Sequence, residues 1–158
     1  MRNYPLASFG DFRCGNCHAI VSSMHMLSGV NNRNHCPYCL WSCHLDLYFA
    51  GDRLSACKAP MNPIGLTMKQ SRNKYRLSPR GELMLIHECV ECKSLSINRI
   101  ATDDDPDAVL SVFRSSLTVS RSAPYEQHGI VTLNADDMEI VHAQLYGRNI
   151  ELSVTIDF

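Results

Sequence analysis

Apolar residues in the first hundred positions come in short pieces, because Gly, Pro and Asn break every run before it reaches helical length. The candidate strands that remain are Leu45–Phe49 and Leu83–His87, with Pro79-Arg80-Gly81 as a turn ahead of the second. Beyond residue 100 the pattern changes. Asp105 is placed as an N-cap, Pro106 at the first helical position and Asp107 in the first turn, followed by Ala108-Val109-Leu110-Ser111-Val112-Phe113, which predicts a helix over 105–115. Residues 116–129, with Ser-Arg-Ser-Ala-Pro, read as a loop. A strand is expected at Ile130–Leu133. Asn134 then caps a second helix with Met138, Val141, Leu145 and Tyr146, stopped at Gly147. Strict alternation over Ile150–Ile156 predicts a half-buried strand, so 130–158 reads strand-helix-strand.

Such short strands bury little apolar surface, and small folds of this kind need a covalent or metal staple. Eight cysteines lie between Cys14 and Cys92 and none follows. The N-terminus has no secretory apolar core and no run of about 18 uncharged apolar residues occurs, so a cytoplasmic address and no membrane partner are expected. In that setting the cysteines point to metal rather than disulfides.

Their spacing supports this. Cys14-Gly-Asn-Cys17 is followed after 18 residues by Cys36-Pro-Tyr-Cys39, two turns that together complete the tetrahedron of thiolates accepted by zinc. Four thiolates suit iron as well as zinc. Cys89-Val-Glu-Cys92 is a third pair, and a second site has to recruit Cys57 and one of His44, Cys43 or His87; His44, just past the Cys36–Cys39 turn, is preferred. Two zinc ions per chain are expected. Cys-Pro-Tyr-Cys also matches a glutaredoxin-type redox pair but lacks the strand-to-helix context that chemistry requires. A zinc deaminase would need His-x-Glu ahead of Pro-Cys-x-x-Cys, and here the proline lies inside the pair. Asp103-Asp104-Asp105 with Asp107 offer oxygen donors for a hard cation, but helix capping and the helix dipole already account for Asp105 and Asp107.

Charge divides the chain near residue 104. Residues 1–100 hold 12 Lys/Arg against 6 Asp/Glu, and 101–158 hold 3 against 10. We therefore separate a basic, Cys-rich unit, 1–104, from an acidic segment, 105–158. From Arg53 to Gly81 there are seven basic residues and no acidic one: Arg53, Lys58, Lys69, Arg72, Lys74, Arg76 and Arg80, with Tyr75 among them. That composition suits a phosphate backbone, Tyr75 being available to stack on a base. Arg33, beside the zinc turn, either donates to nucleic acid or braces the zinc loop.

The string Arg33-Asn34-His35-Cys36-Pro37 resembles the signature of the RNHCP-domain family. The resemblance runs from about Phe12 to Asp104, through Cys39-Leu40-Trp41-Ser42, His44, Asp46, Gly51-Asp52-Arg53, Cys57, Met61, Pro63, His87, Cys89, Cys92, Asn98-Arg99-Ile100-Ala101 and Asp103-Asp104. It implies a zinc-ribbon-like domain and brings no established reaction; Cys43 is not part of its pattern. The expected fold is small α+β: a zinc-stapled, loop-rich domain with short β-hairpins, then a short helix and the strand-helix-strand segment. Closed sites of this kind do no chemistry. The expectation is a non-catalytic zinc protein that binds RNA or a ribonucleoprotein such as the ribosome. A protein-interaction adaptor using the acidic segment is the alternative and a thiol redox protein a weaker one, with no small-molecule substrate evident.

Overall fold

The computed structural model describes residues 10–70, 81–119 and 128–147. The expected strand at Ile150–Ile156, the Pro79-Arg80 part of the turn and most of the 116–129 loop lie outside these residues. So do Arg72, Lys74, Tyr75, Arg76 and Arg80.

The fold is small α+β with two antiparallel sheets among the described residues. A minimal hairpin pairs β1 (Phe12–Arg13) with β2 (Ile20–Val21). A one-turn helix α1 follows (His25–Ser28). The larger sheet is a meander in the order β3 (Ser42–Cys43), β4 (Pro60–Lys69), β5 (Glu82–Cys89) and β6 (Leu95–Arg99). Helix α2 (Pro106–Leu117) and, after a 3-10 turn at Ala135–Asp137, helix α3 (Met138–Tyr146) complete it.

The predicted strand at Leu83–His87 lies inside β5. With β4 and β6 on either side, β5 is buried on both faces, and its unbroken Leu83-Met84-Leu85-Ile86 run is the signature of that position. The expectation of only short strands fails at β4. Pro60 and Pro63 disguise this ten-residue strand, and the register with β5 shifts between Pro63 and Gly65. A bulge there breaks the period of two on which a sequence reading depends. The hairpin closes at Lys69 opposite Glu82. Gly81 turns it with φ +96°, where a Cβ would stand 2.6 Å from the Lys69 carbonyl oxygen.

The strand expected at Leu45–Phe49 is absent. The backbone N–H groups of Leu47, Tyr48 and Phe49 all donate to the Asp52 carboxylate, at 2.7 to 3.1 Å, so they are committed to a loop instead of a ladder.

Downstream, Asp105 caps α2 as expected, accepting from the Asp107 N–H at 3.0 Å, and the helix runs two residues past its predicted end. Ile130–Leu133 forms a single bridge, Thr67 opposite Thr132, on the open edge of β4 rather than a full strand. Asn134 makes a capping box with Asp137 ahead of α3.

Helix α2 lies on β4, and α3 packs against α2. Leu40, Leu66, Leu83, Leu85, Val109, Leu110, Phe113 and Val141 form one buried cluster that draws on the Cys-rich part, the sheet and both helices. Each fully buried side chain of this size stabilises by about 2 kcal/mol. Ile64 and Ile86 pack on the opposite face with Leu95, Ile97 and Ile130. This is an ordinary hydrophobic core, and it corrects the expectation that the chain buries little apolar surface.

Candidate metal centres

The β1–β2 hairpin carries Cys14 and Cys17, and the turn before β3 carries Cys36 and Cys39. Cys14 Sγ lies 3.5 Å from Cys39 Sγ, and Cys17 Sγ 3.6 Å from Cys36 Sγ. All four sulfurs fall within 4.8 Å of one another. Sulfurs bound at about 2.3 Å at the corners of a tetrahedron would stand about 3.8 Å apart, so a metal ion fits with little adjustment.

A second group gathers His44, which follows β3, Cys57 on the approach to β4, Cys89 ending β5, and Cys92 in the turn beyond it. Cys57 Sγ is 3.6 Å from Cys89 Sγ, and Cys92 Sγ is 3.4 Å from His44 Nδ1. These four ligand atoms also lie within 4.8 Å of one another.

The other candidates for the fourth ligand have different partners. The Cys43 thiol donates to the Lys58 carbonyl at 3.3 Å. His87 is fully buried. Its Nε2 meets the Leu40 carbonyl oxygen at 2.7 Å and its Nδ1 the Asn98 side-chain amide at 2.9 Å, which assigns the proton to Nε2. Burial, with the nearby His35, pushes its pKa down to about 3, so it stays neutral and pins the Cys36–Cys39 turn to β5.

The local geometry recurs. The residue after the second cysteine of each Cys-x2-Cys pair, and after Cys57, has positive φ: His18 63°, Leu40 62°, Lys58 52° and Lys93 61°. In the three pairs its N–H bonds back to the first cysteine's carbonyl, His18 to Cys14, Leu40 to Cys36 and Lys93 to Cys89, at 2.9 to 3.1 Å. This left-handed closure brings both sulfurs to one side of the turn. The N–H groups of Asn16 and Cys17 also point at Cys14 Sγ, at 3.4 and 3.5 Å.

None of the four positions is glycine, and a side chain in this region costs about 1–2 kcal/mol. Lys93→Gly should therefore raise the urea-unfolding free energy of the metal-loaded protein by about 1 kcal/mol, with metal content unchanged. A loss of stability would show that the Lys93 side chain outweighs the strain.

Burial raises the Cys14 thiol pKa and pushes that of Cys36 up further. Ser94, through its hydroxyl and its backbone N–H, lowers that of Cys92 to about 6. Metal must therefore displace protons from the buried thiols, and its hold weakens as pH falls.

The segment Arg33-Asn34-His35 braces both centres from inside. The Arg33 guanidinium is fully buried, with Nη1 2.8 Å from both Asp103 oxygens and Nη2 3.1 Å from Asp104 Oδ1. The His35 ring reaches Asp104 Oδ2 at 2.7 Å. Asn34 donates to Asp46 at 3.0 Å and accepts from the Arg53 guanidinium. This corrects Arg33 as a nucleic-acid contact, because a buried arginine paired with two carboxylates has no face left for phosphate. Arg53 remains partly exposed beside Asp46. No periodicity announces Asp103 and Asp104, about 70 residues from their partners; their place at the end of the family resemblance was the one signal available.

Asp103 and Asp104, at the end of the basic unit, are spent on Arg33 and His35, while in the acidic segment the exposed Asp105 and Asp107 sit at the α2 cap, where Tyr146 also donates to Asp107, and Asp137 is in the capping box.

No helix among the described residues is long and apolar enough to cross a membrane. No curated protein and no solved structure matches the chain. The family model of the RNHCP domain does, over residues 9–110, a span holding both metal-binding groups and the Arg33–Asp104 brace, and the chain belongs to that family.

Proposed function

We propose that this is a non-catalytic zinc protein that binds RNA, free or within a ribonucleoprotein, through the connection between β4 and β5. Zinc suits both donor sets, four thiolates in one and three thiolates with an imidazole in the other. Four protein ligands complete a tetrahedron and leave no position for water or substrate. The gathering of Cys36 and Cys39 with a second cysteine pair favours this over disulfide exchange.

The observation carrying the RNA reading is where the basic residues fall. The ladder from Met61 to Lys69 separates Arg53 and Lys58, near the second metal group, from Lys69 by roughly 30 Å of strand. What had read as one basic run is therefore two. The larger part is Lys69 at the end of β4 together with Arg72, Lys74, Arg76 and Arg80, which with Tyr75 and no acid belong to the connection between β4 and β5. Four cations on one connection, with Lys69 at its root, suit successive phosphates.

Filter retention of single-stranded RNA tests this. If all five contact phosphate, log K should fall with log salt at a slope of about −3.5, and Arg72→Ala, Lys74→Ala and Arg76→Ala together should reduce that slope by about 2. No retention at low salt, or a slope the triple variant leaves unchanged, would remove RNA as the ligand.

A further inference from the structure

Residues 46–54 form a loop closed at its neck, where the Ser55 N–H donates to the Leu45 carbonyl at 2.9 Å, with His44 and Cys57 of the second metal group close on either side. Two carboxylates organise it. Asp46 accepts from the N–H groups of Gly51 and Arg53 at 2.9 and 3.1 Å. Asp52 accepts from those of Leu47, Tyr48, Phe49 and Leu54, all between 2.7 and 3.1 Å.

The four residues whose backbones converge on Asp52 all turn large apolar side chains to water: Leu47 is 51% exposed, Tyr48 77%, Phe49 71% and Leu54 59%. One carboxylate gathers their backbones and leaves all four side chains exposed on the same short loop. At roughly 150–250 Å² for a full aromatic side chain, the open area is about 500 Å². That is at the upper end of the largest apolar patch on a monomeric protein, and patches of that size mark interaction sites.

We propose that this loop is a self-association surface whose occupant is a second copy of the chain. Charge favours that over a polyanion. Across residues 45–58 the acids Asp46 and Asp52 balance Arg53 and Lys58, so phosphate gains no net attraction, while a surface with adjacent opposite charges complements itself. A two-fold axis through the loop sets the Asp52–Arg53 edge of one copy against the same edge of the other. The backbone N–H groups hold the Asp52 carboxyl well below the usual carboxylate range, so it stays charged. Size agrees: about 500 Å² from each copy totals about 1,000 Å², the lower bound of a specific interface. The dimer is therefore weak. It is independent of the RNA reading, whose cations lie on the β4–β5 connection.

Sedimentation velocity of the full, metal-loaded chain from a few to several hundred micromolar is the test. A monomer–dimer equilibrium is expected, and Tyr48→Ser and Phe49→Ser should each raise its dissociation constant at least about thirtyfold. Metal content and circular dichroism should not change, since these side chains support nothing in the monomer. A monomer across the whole range would overturn the proposal, as would a dimer indifferent to both substitutions. A monomer that loses RNA retention on Phe49→Ser would overturn it too, by giving the surface to RNA.

Discussion

Removing metal with a strong chelator under reducing conditions should release about two zinc ions per chain and unfold the part of the molecule around residues 12–58, while the β4–β5 hairpin and α2 keep their structure. The reason lies in what each part buries. Around the first group the buried cluster is Cys14, Val21 and Cys36, with Phe12, Ala19 and Cys39 against it, so half of its members are ligands. Burying Val21 is worth about 2 kcal/mol. Metal binding at a structural site is worth roughly 10–16 kcal/mol. Without the ion this part has almost nothing to offset its chain entropy. The sheet and helices have their own core, to which the ligand turns contribute only Leu40. Amide hydrogen exchange reads the outcome residue by residue. Protection should vanish at Cys14, Cys36, Leu40 and Ser55, whose N–H bonds depend on the ligand turns, and persist at Leu83–Ile86. Loss of protection throughout would mean that metal sustains the whole fold, and unchanged protection at the ligand turns would mean that it sustains none of it.

The largest loss from a single non-ligand substitution is expected at Asp104. Its side chain is fully buried and accepts from Arg33 Nη2, from the Ala101 N–H at 2.8 Å and from the His35 ring. Asp104→Ala leaves the guanidinium and the imidazole buried with a partner missing, and breaking a buried ion pair in this way costs about 3–5 kcal/mol. The neighbouring Asp103→Ala makes a sharp control: that carboxylate touches the same arginine, but its side chain is 34% exposed, so water takes its place and the cost should be about 1 kcal/mol. Urea unfolding of both variants with zinc bound separates them. Equal effects, or an Asp104→Ala loss below 1 kcal/mol, would show that the brace does not bear on stability. Because His35 adjoins Cys36, Asp104→Ala should also speed release of metal from the first group.

The ligand sets were legible in the chain because coordination imposes its own arithmetic: two Cys-x2-Cys turns 18 residues apart, and a third pair lacking a partner. The caps of α2 and α3 were legible for a similar reason, since a cap is a bond across two or three residues. The limits of β4 were not, because a proline-marked bulge erased the alternation, and Leu45–Phe49 misled because Asp52 takes up N–H groups that an apolar run would otherwise give to a ladder.

By itself the sequence determined much of what depends on neighbours along the chain: which cysteines act as pairs, where the caps ahead of α2 and α3 fall, and where charge changes sign. Tertiary structure alone decided that His44 joins the second group while His87 pins Leu40, that Arg33 is buried against Asp103 and Asp104, and that the basic run is split by the length of β4. The physical reason is that burial and pairing depend on what packs against a side chain. Here the partners come from segments up to about 70 residues away, and local spacing carries no record of them.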